Sequence, residues 1–204
     1  MIAICPTCRN HNWDKEVNGN TILCPKCGTT WKFQKLPLFI LTGCSGIGKT
    51  TTAGVLQREC KDFIVLDADM FYNIMPHETE ADYYAQIEEM ESLTKNISQY
   101  GYPILWTMAG NIDKINNTYH RRFFEKVYVM ALVSSEKDVR ERMEKGRGIT
   151  DPNWIQSSVD YNQYFLTHKS IGDMPFETID TEGKSVEEVA EDVRLWMLSC
   201  LNKE

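Results

Sequence analysis

The chain has 204 residues, with 22 basic and 29 acidic side chains and a formal net charge of −7 at pH 7. Its 42% hydrophobic and 25% charged residues are typical of a globular protein and exclude wholesale disorder. The acidic balance disfavours broad nucleic-acid binding, which depends on neutralising phosphates with Lys and Arg, and the longest apolar run, 127–133, is too short to cross a bilayer.

Four of the seven cysteines lie in the first 35 residues, in two Cys-x-x-Cys pairs separated by fifteen residues. This spacing is typical of four-cysteine zinc sites, because each tight turn directs two thiolates to one tetrahedral centre. An Asn-Gly step at 18–19, between the pairs, predicts a hairpin. We therefore predict a zinc ribbon with a structural Zn²⁺, since four thiolates leave no position open for catalysis. The predicted ligands are Cys5, Cys8, Cys24 and Cys27.

The ribbon is predicted to span residues 1–35 and to be followed by one larger domain over 36–204. Its aromatic residues Trp13, Trp31 and Phe33 are expected to pack onto the ribbon or the larger domain, with a partner surface as the alternative. The N-terminus lacks the charged start and apolar stretch of a secretory signal. We therefore expect a cytoplasmic protein whose cysteines form no disulfides.

From residue 38 onward, short apolar runs alternate with helical patterns. The runs are almost continuously apolar, which predicts a parallel sheet with helices on both faces, and the alternation predicts a doubly wound α/β domain with five strands. The predicted strands are 38–42, 63–67, 104–108, 127–132 and 176–179. The predicted helices are 49–60, 80–99, 135–145, 153–167 and 185–201, with a weaker one near 115–124.

Residues 43–50, GCSGIGKT, match the phosphate-loop motif G-x-x-x-x-G-K-[ST] at every fixed position, between a predicted strand and a predicted helix. In such a loop the backbone N–H groups and the helix N-terminus bind phosphates. We expect Lys49 to bridge the β- and γ-phosphates and Thr50 to ligate Mg²⁺. Cys44 is interpreted as a small packing residue. The predicted nucleotide-binding residues of the loop are Gly43, Cys44, Ser45, Gly46, Ile47, Gly48, Lys49, Thr50 and Thr51.

Other features distinguish between classes of phosphate-loop protein. No Asn-Lys-x-Asp motif for guanine is present, and the third predicted strand of the domain ends without a carboxylate. Asp67 and Asp69 instead follow the second strand, where residues i and i+2 face the same way at the carboxyl edge of the sheet. These features disfavour switch GTPases and motor-type ATPases.

With these residues, the segment 37–202 resembles the small-molecule and nucleotide kinases of the P-loop superfamily: nucleoside monophosphate, shikimate and gluconate kinases and bacterial nucleoside kinase-like proteins. The resemblance rests on the phosphate loop, the Asp67-x-Asp69 pair, the arginine-bearing segment 138–150 and the ending 179–185. It implies that Asp67 helps to organise hydrated Mg²⁺ and joins the cofactor-binding residues. It also implies that Asp69 binds the acceptor hydroxyl and serves as its base.

The same resemblance implies a mobile lid that supplies arginines to the transferring phosphate. Arg142 and Arg147 occupy the similar places, with Arg140 as the alternative. The predicted catalytic residues are thus Lys49, Asp69, Arg142 and Arg147. The loop 180–183 is implied to cover the adenine.

The acceptor region, roughly 70–100, contains aromatic and acidic residues but no arginine. We expect a neutral or cationic acceptor rather than a phosphorylated one, with a nucleoside-like molecule favoured and a sugar or aminated antibiotic as alternatives. In helix 153–167, Trp154 and Tyr161 recur at helical spacing and are interpreted as packing residues, with acceptor contact as the alternative.

The sequence therefore predicts ATP- and Mg²⁺-dependent phosphoryl transfer to a hydroxyl of a small molecule. Its expected partners are ATP and that acceptor, with nucleic acid disfavoured and no membrane. The alternative is a nucleotide-dependent regulatory or RNA-associated module in which the zinc ribbon binds a partner. The identity of the acceptor and the role of the ribbon stay open at this point.

Overall fold

A computed structural model describes residues 1–72 and 74–202, so the predicted domain end at 204 lies outside the described residues. The strands are β1 (Glu16–Asn18), β2 (Thr21–Leu23), β3 (Thr30–Lys32), β4 (Leu38–Thr42), β5 (Ile64–Asp67), β6 (Ile104–Thr107), β7 (Val127–Val133), β8 (Ser170–Ile171), β9 (Met174–Pro175) and β10 (Glu177–Asp180). The α-helices are α1 (Lys49–Glu59), α2 (Glu80–Ile97), α3 (Glu136–Glu141), α4 (Pro152–Thr167) and α5 (Val186–Leu201).

The larger part of the chain forms a five-stranded parallel sheet in the order β10-β7-β4-β6-β5. Every residue of the central strand β4 is buried, because helices cover both faces of the sheet. Phe39 and Leu41 point to the face covered by α1 and α5, whereas Leu38 and Ile40 point to the face covered by α2. The predicted doubly wound α/β fold with five parallel strands is confirmed.

Two of the predicted helices differ from the observed elements. The helix predicted over 135–145 is α-helical only to Glu141 and continues as a π-helical turn, Arg142–Gly146. The weak helix near 115–124 is two 3₁₀ segments, Ile112–Asn117 and His120–Phe123. Thr118 separates them, and its hydroxyl donates to the carbonyl oxygen of Ile115 and so competes with the helical bonds.

The β8–β9 hairpin was not predicted, although its Gly-Asp turn at 172–173 is a hairpin signal, with Gly172 at φ 57°.

The final helix α5 begins where the sequence predicts it. Ser185 accepts from the backbone N–H of Glu188, and the Glu188 carboxylate accepts from the N–H of Ser185, which is a complete capping box.

The strands β1, β2 and β3 form an antiparallel sheet, and the predicted hairpin turns at Gly19 with φ 55°. This sheet packs on the larger domain through an apolar cluster of Ile22, Phe33 and Phe123. Phe33 is buried as expected, but Trp13 remains 55% exposed while stacking on Tyr119.

Two long-range hydrogen bonds tie the N-terminal segment to the end of α2. The Gln34 N–H donates to Gln99 Oε1 at 2.9 Å, and the Ile2 N–H donates to Asn96 Oδ1 at 2.9 Å. Since β4 starts directly after this segment, the contact lies at the amino edge of the parallel sheet. The helix α2 therefore runs from the opposite edge down to the N-terminal sheet. None of the described helices is long and apolar enough to cross a membrane.

Candidate active site

A pocket of about 760 Å³ opens at the carboxyl edge of the parallel sheet, a volume within the usual range for small-molecule sites. The phosphate loop lies on one side, and one face of α2 lies on the other. The ends of β5 and β6 form the floor, and the segment that follows α3 forms part of the rim. This edge is where ligands bind in open α/β sheets.

Two glycines of the phosphate loop lie too close to neighbouring atoms to carry a side chain, and a third has a backbone conformation that favours glycine. A Cβ atom on Gly43, which has φ 136°, would lie 2.6 Å from the carbonyl oxygen of Leu132. A Cβ atom on Gly46, with φ 77°, would lie 2.9 Å from Met143 Sδ. Gly48 is the N-cap of α1 and has φ 111°, a backbone conformation that glycine adopts without strain. The loop therefore exposes its backbone at the N-terminus of α1, as a phosphate site requires.

The ammonium of Lys49 lies within the loop. Its Nζ donates to the carbonyl oxygens of Gly43 at 2.8 Å and Cys44 at 2.9 Å. Burial lowers the pKa of Lys49, because the charged form loses its hydration. Cys44 is fully buried, and burial raises the pKa of its thiol to about 11, so it is a neutral packing residue as the sequence indicates.

Asp67 and Asp69 both line the pocket. Asp67 ends β5, and its Oδ1 accepts from the backbone N–H of Asp69 at 3.1 Å, which starts the 3₁₀ turn Ala68–Phe71. Asp67 therefore has a capping role in addition to any role toward a ligand. The pKa of Asp69 is raised by burial and then by the charge of Asp67. A carboxylate with a raised pKa that lines the same pocket as a phosphate loop is a candidate proton acceptor.

The three arginines of the segment after β7 have different surroundings. Arg142 lines the pocket and donates to backbone carbonyls on two other elements, at Ile47 and Thr181. Arg147 also lines the pocket, with its guanidinium 5.5 Å from the centre of the Trp154 ring. Arg140 instead pairs with Glu136 on the outer face of α3 and does not line the pocket. The geometry thus favours Arg142 and Arg147 over Arg140.

The acceptor end of the pocket differs from the expectation. The α2 residues that line it are Gln86, Ile87 and Met90. The acidic residues of α2 face elsewhere: Glu88 accepts from the backbone N–H of His120, and the buried Glu91 contacts Thr118. Among the described residues that line the pocket, Asp67 and Asp69 are the only carboxylates. The alternative of an aminated acceptor therefore loses the acidic residues of α2 as partners, because the sequence does not tell which face of the helix meets the pocket.

The surrounding aromatic residues also need correction. Of the aromatic residues in the predicted acceptor region 70–100, Tyr72 lines the pocket, whereas Phe71 is buried against Trp106. Trp154, interpreted from its spacing as a packing residue, is 43% exposed and lines the pocket.

Sequence reasoning missed three polar lining residues, Gln86, Thr107 and Asn111. For two of them a signal existed, since Thr107 ends β6 and Asn111 follows it, at the edge of the sheet where sites form. For Gln86 the sequence carries no signal that separates it from the other polar residues of α2.

The four cysteines near the N-terminus form one cluster in which all sulfur atoms lie within 4.8 Å of one another. The Cys5–Cys27 and Cys8–Cys24 sulfur distances are both 3.6 Å. Zn–S bonds of about 2.3 Å in a tetrahedron place the sulfurs ~3.8 Å apart, so this donor set fits a structural zinc ion.

The two Cys-x-x-Cys turns have the same local geometry. The Arg9 N–H donates to the carbonyl oxygen of Cys5 at 3.1 Å, and the Gly28 N–H donates to that of Cys24 at 2.8 Å. Arg9 and Gly28 have φ 59° and 73°. This repetition is what a metal-binding knuckle produces when two turns supply ligands to one centre.

No family model matches the sequence, and no curated protein matches it. Solved structures share the fold. A sugar kinase from Janibacter sp. is 19% identical, with a TM-score of 0.59, covering 80% of this chain and 95% of that one. A gluconokinase from Sinorhizobium meliloti is 14% identical, with a TM-score of 0.55 and coverage of 84% and 100%. A shikimate kinase from Acinetobacter baumannii, in complex with shikimate, is 18% identical, with a TM-score of 0.52 and coverage of 80% and 94%. The chain thus has the fold of small-molecule P-loop kinases.

Proposed function

We propose that the protein is a kinase that transfers the γ-phosphoryl group of ATP to a hydroxyl of a small, uncharged molecule. The observation that carries this proposal is that Lys49, within a complete phosphate loop, and Asp69 line the same pocket. The kinase-like fold supports it. A nucleoside-like acceptor is favoured and a sugar is the alternative, whereas an aminated acceptor loses its support because the acidic residues of α2 face away.

In the proposed reaction, the acceptor oxygen attacks the γ-phosphorus, its proton passes to Asp69, and the bond to the β-phosphate oxygen breaks to release ADP. Lys49 holds the β- and γ-phosphate oxygens, for which it exchanges its present contacts with the loop carbonyls. Most of the acceleration in such a transfer comes from positioning and charge stabilisation, with the base contributing the remainder.

Thr50 and Asp67 are the residues proposed to hold hydrated Mg²⁺, whose donor set of hydroxyl, carboxylate and phosphate oxygens suits this ion. The ion, when bound, neutralises charge on the transferring phosphate. Arg147 is proposed to add a further positive charge when the rim closes over the nucleotide, and closure excludes water that would otherwise accept the phosphoryl group. The zinc of the cysteine cluster is proposed to be structural, with Cys5, Cys8, Cys24 and Cys27 as ligands.

The test is ADP release by purified protein with nucleosides, free sugars, gluconate and shikimate, above the acceptor-free background. Lys49→Ala should lower turnover by about 100-fold or more. Lys61→Ala, which removes an exposed lysine outside the pocket, is the matched control and should leave it unchanged. Retained ATP binding without turnover of any acceptor would refute the kinase and favour the nucleotide-dependent regulatory module.

A further inference from the structure

Asn111 adopts a backbone conformation that side chains seldom take. It lies four residues after the end of β6 with φ 62° and ψ 16°, in the left-handed region. Only one other described residue besides glycine, Arg9 in a cysteine turn, has a positive φ. Asn tolerates this region better than most residues, but the conformation still requires support from the surrounding structure.

That support comes from the chain on either side of Asn111. The carbonyl oxygen of Ala109 accepts from the Tyr161 hydroxyl at 2.6 Å and from Thr42 Oγ1 at 3.4 Å. The carbonyl oxygen of Asn111 accepts from the Lys114 N–H at 3.1 Å. The loop 109–111 is therefore fixed between α4 and the strand that enters the phosphate loop.

The side chain of Asn111 contributes nothing to this support. Asn at a helix N-cap ordinarily accepts from a backbone N–H of the first turn, but Asn111, the N-cap of the segment Ile112–Asn117, makes no such bond. Its amide has no hydrogen-bond partner among the described residues, and the residue lines the pocket.

A second amide lines the same pocket. Gln86 is 5% exposed, and its Nε2 donates to the carbonyl oxygen of Pro76 at 2.7 Å, which leaves Oε1 without a partner among the described residues. The cations that line the pocket, Lys49, Arg142 and Arg147, belong to the phosphate loop and the rim rather than to this wall.

We infer that Asn111 contacts the phosphoryl acceptor directly, and that with Gln86 it forms an amide wall selective for an uncharged acceptor rich in hydroxyl or carbonyl groups. This inference rests on the proposed kinase function. It assigns a specificity-determining role to a residue that the phosphate-loop chemistry does not use. An anionic acceptor finds no free cation at this wall, and a cationic acceptor finds only Asp69 and Asp67.

Two substitutions separate the amide from the backbone strain. Asn111→Gly keeps the positive φ without strain and removes the amide, whereas Asn111→Ala removes the amide but keeps a Cβ in the strained conformation. The probes are adenosine, uridine, glucose and gluconate. For each probe, the KM and kcat of the two variants are compared with those of the wild type. The shift in melting temperature that each probe causes is also measured, since this detects binding without turnover.

The expected result is a KM for the best neutral acceptor raised about tenfold in both variants, as for one lost hydrogen bond. The KM for ATP should be unchanged, and the melting temperature of the Gly variant should be equal to or above that of the wild type. An unchanged acceptor KM and an unchanged acceptor-induced shift in Asn111→Gly would overturn the inference, as would a preference of the wild type for gluconate. Failure of the wild type to turn over or bind any probe would instead refute the proposed function and the inference with it.

Discussion

The guanidinium of Arg142 donates to the carbonyl oxygen of Ile47 at 3.0 Å, across 95 residues of sequence. The same side chain donates to the carbonyl oxygen and the hydroxyl of Thr181 at 3.2 and 3.1 Å, and it pairs with Asp138 at 2.7 Å. It thus joins the phosphate loop, the end of α3 and the connection that follows β10. Among the described residues, the guanidinium of Arg147 makes no hydrogen bond or ion pair, and it lies 5.5 Å from the centre of the Trp154 ring, so we expect this arginine to be the one that turns toward a phosphate.

This difference predicts that Arg142 contributes to the stability of the folded protein as well as to catalysis. Arg142→Ala should lower the free energy of unfolding by about 2 kcal/mol, because it leaves two backbone carbonyls and a carboxylate without their donor. Arg140→Ala, which removes an exposed partner of Glu136 two residues away, should change it by no more than about 0.5 kcal/mol. Urea unfolding measures both, and equal losses in the two variants would contradict the assigned contacts.

The two carboxylates at and after the end of β5, Asp67 and Asp69, should have different functions. Asp69→Asn should lower kcat by about 10²- to 10⁴-fold with the KM for ATP nearly unchanged, because it removes the proton acceptor. Asp67→Asn keeps an N-cap for the following turn and should instead raise the Mg²⁺ concentration needed for half-maximal activity. Steady-state kinetics over a Mg²⁺ titration checks the pair. A normal kcat in Asp69→Asn, or the same Mg²⁺ requirement in Asp67→Asn and wild type, would contradict the roles.

Features encoded by neighbouring residues were predictable from the sequence. The phosphate loop, the cysteine turns and the Ser185 capping box each depend on a spacing of a few residues, and backbone geometry alone converts that spacing into structure. The parallel sheet was predictable for a similar reason, since a strand covered on both faces is apolar throughout.

The acceptor wall was not predictable, because tertiary packing decides which face of α2 meets the pocket. Gln86 and Glu88 are two residues apart, yet one lines the pocket and the other binds the segment around His120. The π-helical turn at 142–146 also depends on distant residues, since Arg142 is fixed there by Ile47 and Thr181.

The buried carboxyl group of Glu91 is protonated in the folded protein, as its hydrogen bonds and its raised pKa both indicate. The Thr118 hydroxyl has one hydrogen but lies 2.8 Å from the carbonyl oxygen of Ile115 and 2.5 Å from Glu91 Oε2. A carbonyl and an ionised carboxylate both only accept, so one hydroxyl hydrogen satisfies both contacts only when Glu91 is the protonated acid. In agreement, burial, with a smaller contribution from the charge of Glu88, raises the pKa of Glu91 to about 8.

This proton predicts a pH-dependent stability. The unfolded chain ionises Glu91 near its ordinary pKa of 4.5, while the folded chain keeps the proton to about pH 8. Between these values the folded state binds one proton more, so the free energy of unfolding falls as pH rises. Glu91→Gln lacks this group, and its stability relative to wild type should increase by about 2 kcal/mol between pH 5.5 and 7.5. Urea unfolding at both pH values checks this, with the exposed Glu89→Gln as the control. A pH-independent difference would place the proton elsewhere.

Loss of zinc should act on the N-terminal sheet and leave nucleotide binding in place. The cysteine cluster lies at the amino edge of the parallel sheet, while the phosphate loop lies at the carboxyl edge. The N-terminal sheet has only the small apolar cluster of Ile22, Phe33 and Phe123, so it depends on its metal for folding energy.

We expect metal analysis to find one zinc ion per chain. Cys27→Ser should lose this zinc and have a lower melting temperature. Cys60→Ser, outside the cluster, should keep both the zinc and the melting temperature. The ATP affinity of Cys27→Ser should stay within about threefold of wild type, because the cysteine cluster and the phosphate loop lie at opposite edges of the sheet. A wild-type protein without zinc would contradict the structural site. Losses of both ATP affinity and melting temperature would instead mean that α2, which joins the two edges through Asn96 and Gln86, transmits the disruption to the pocket.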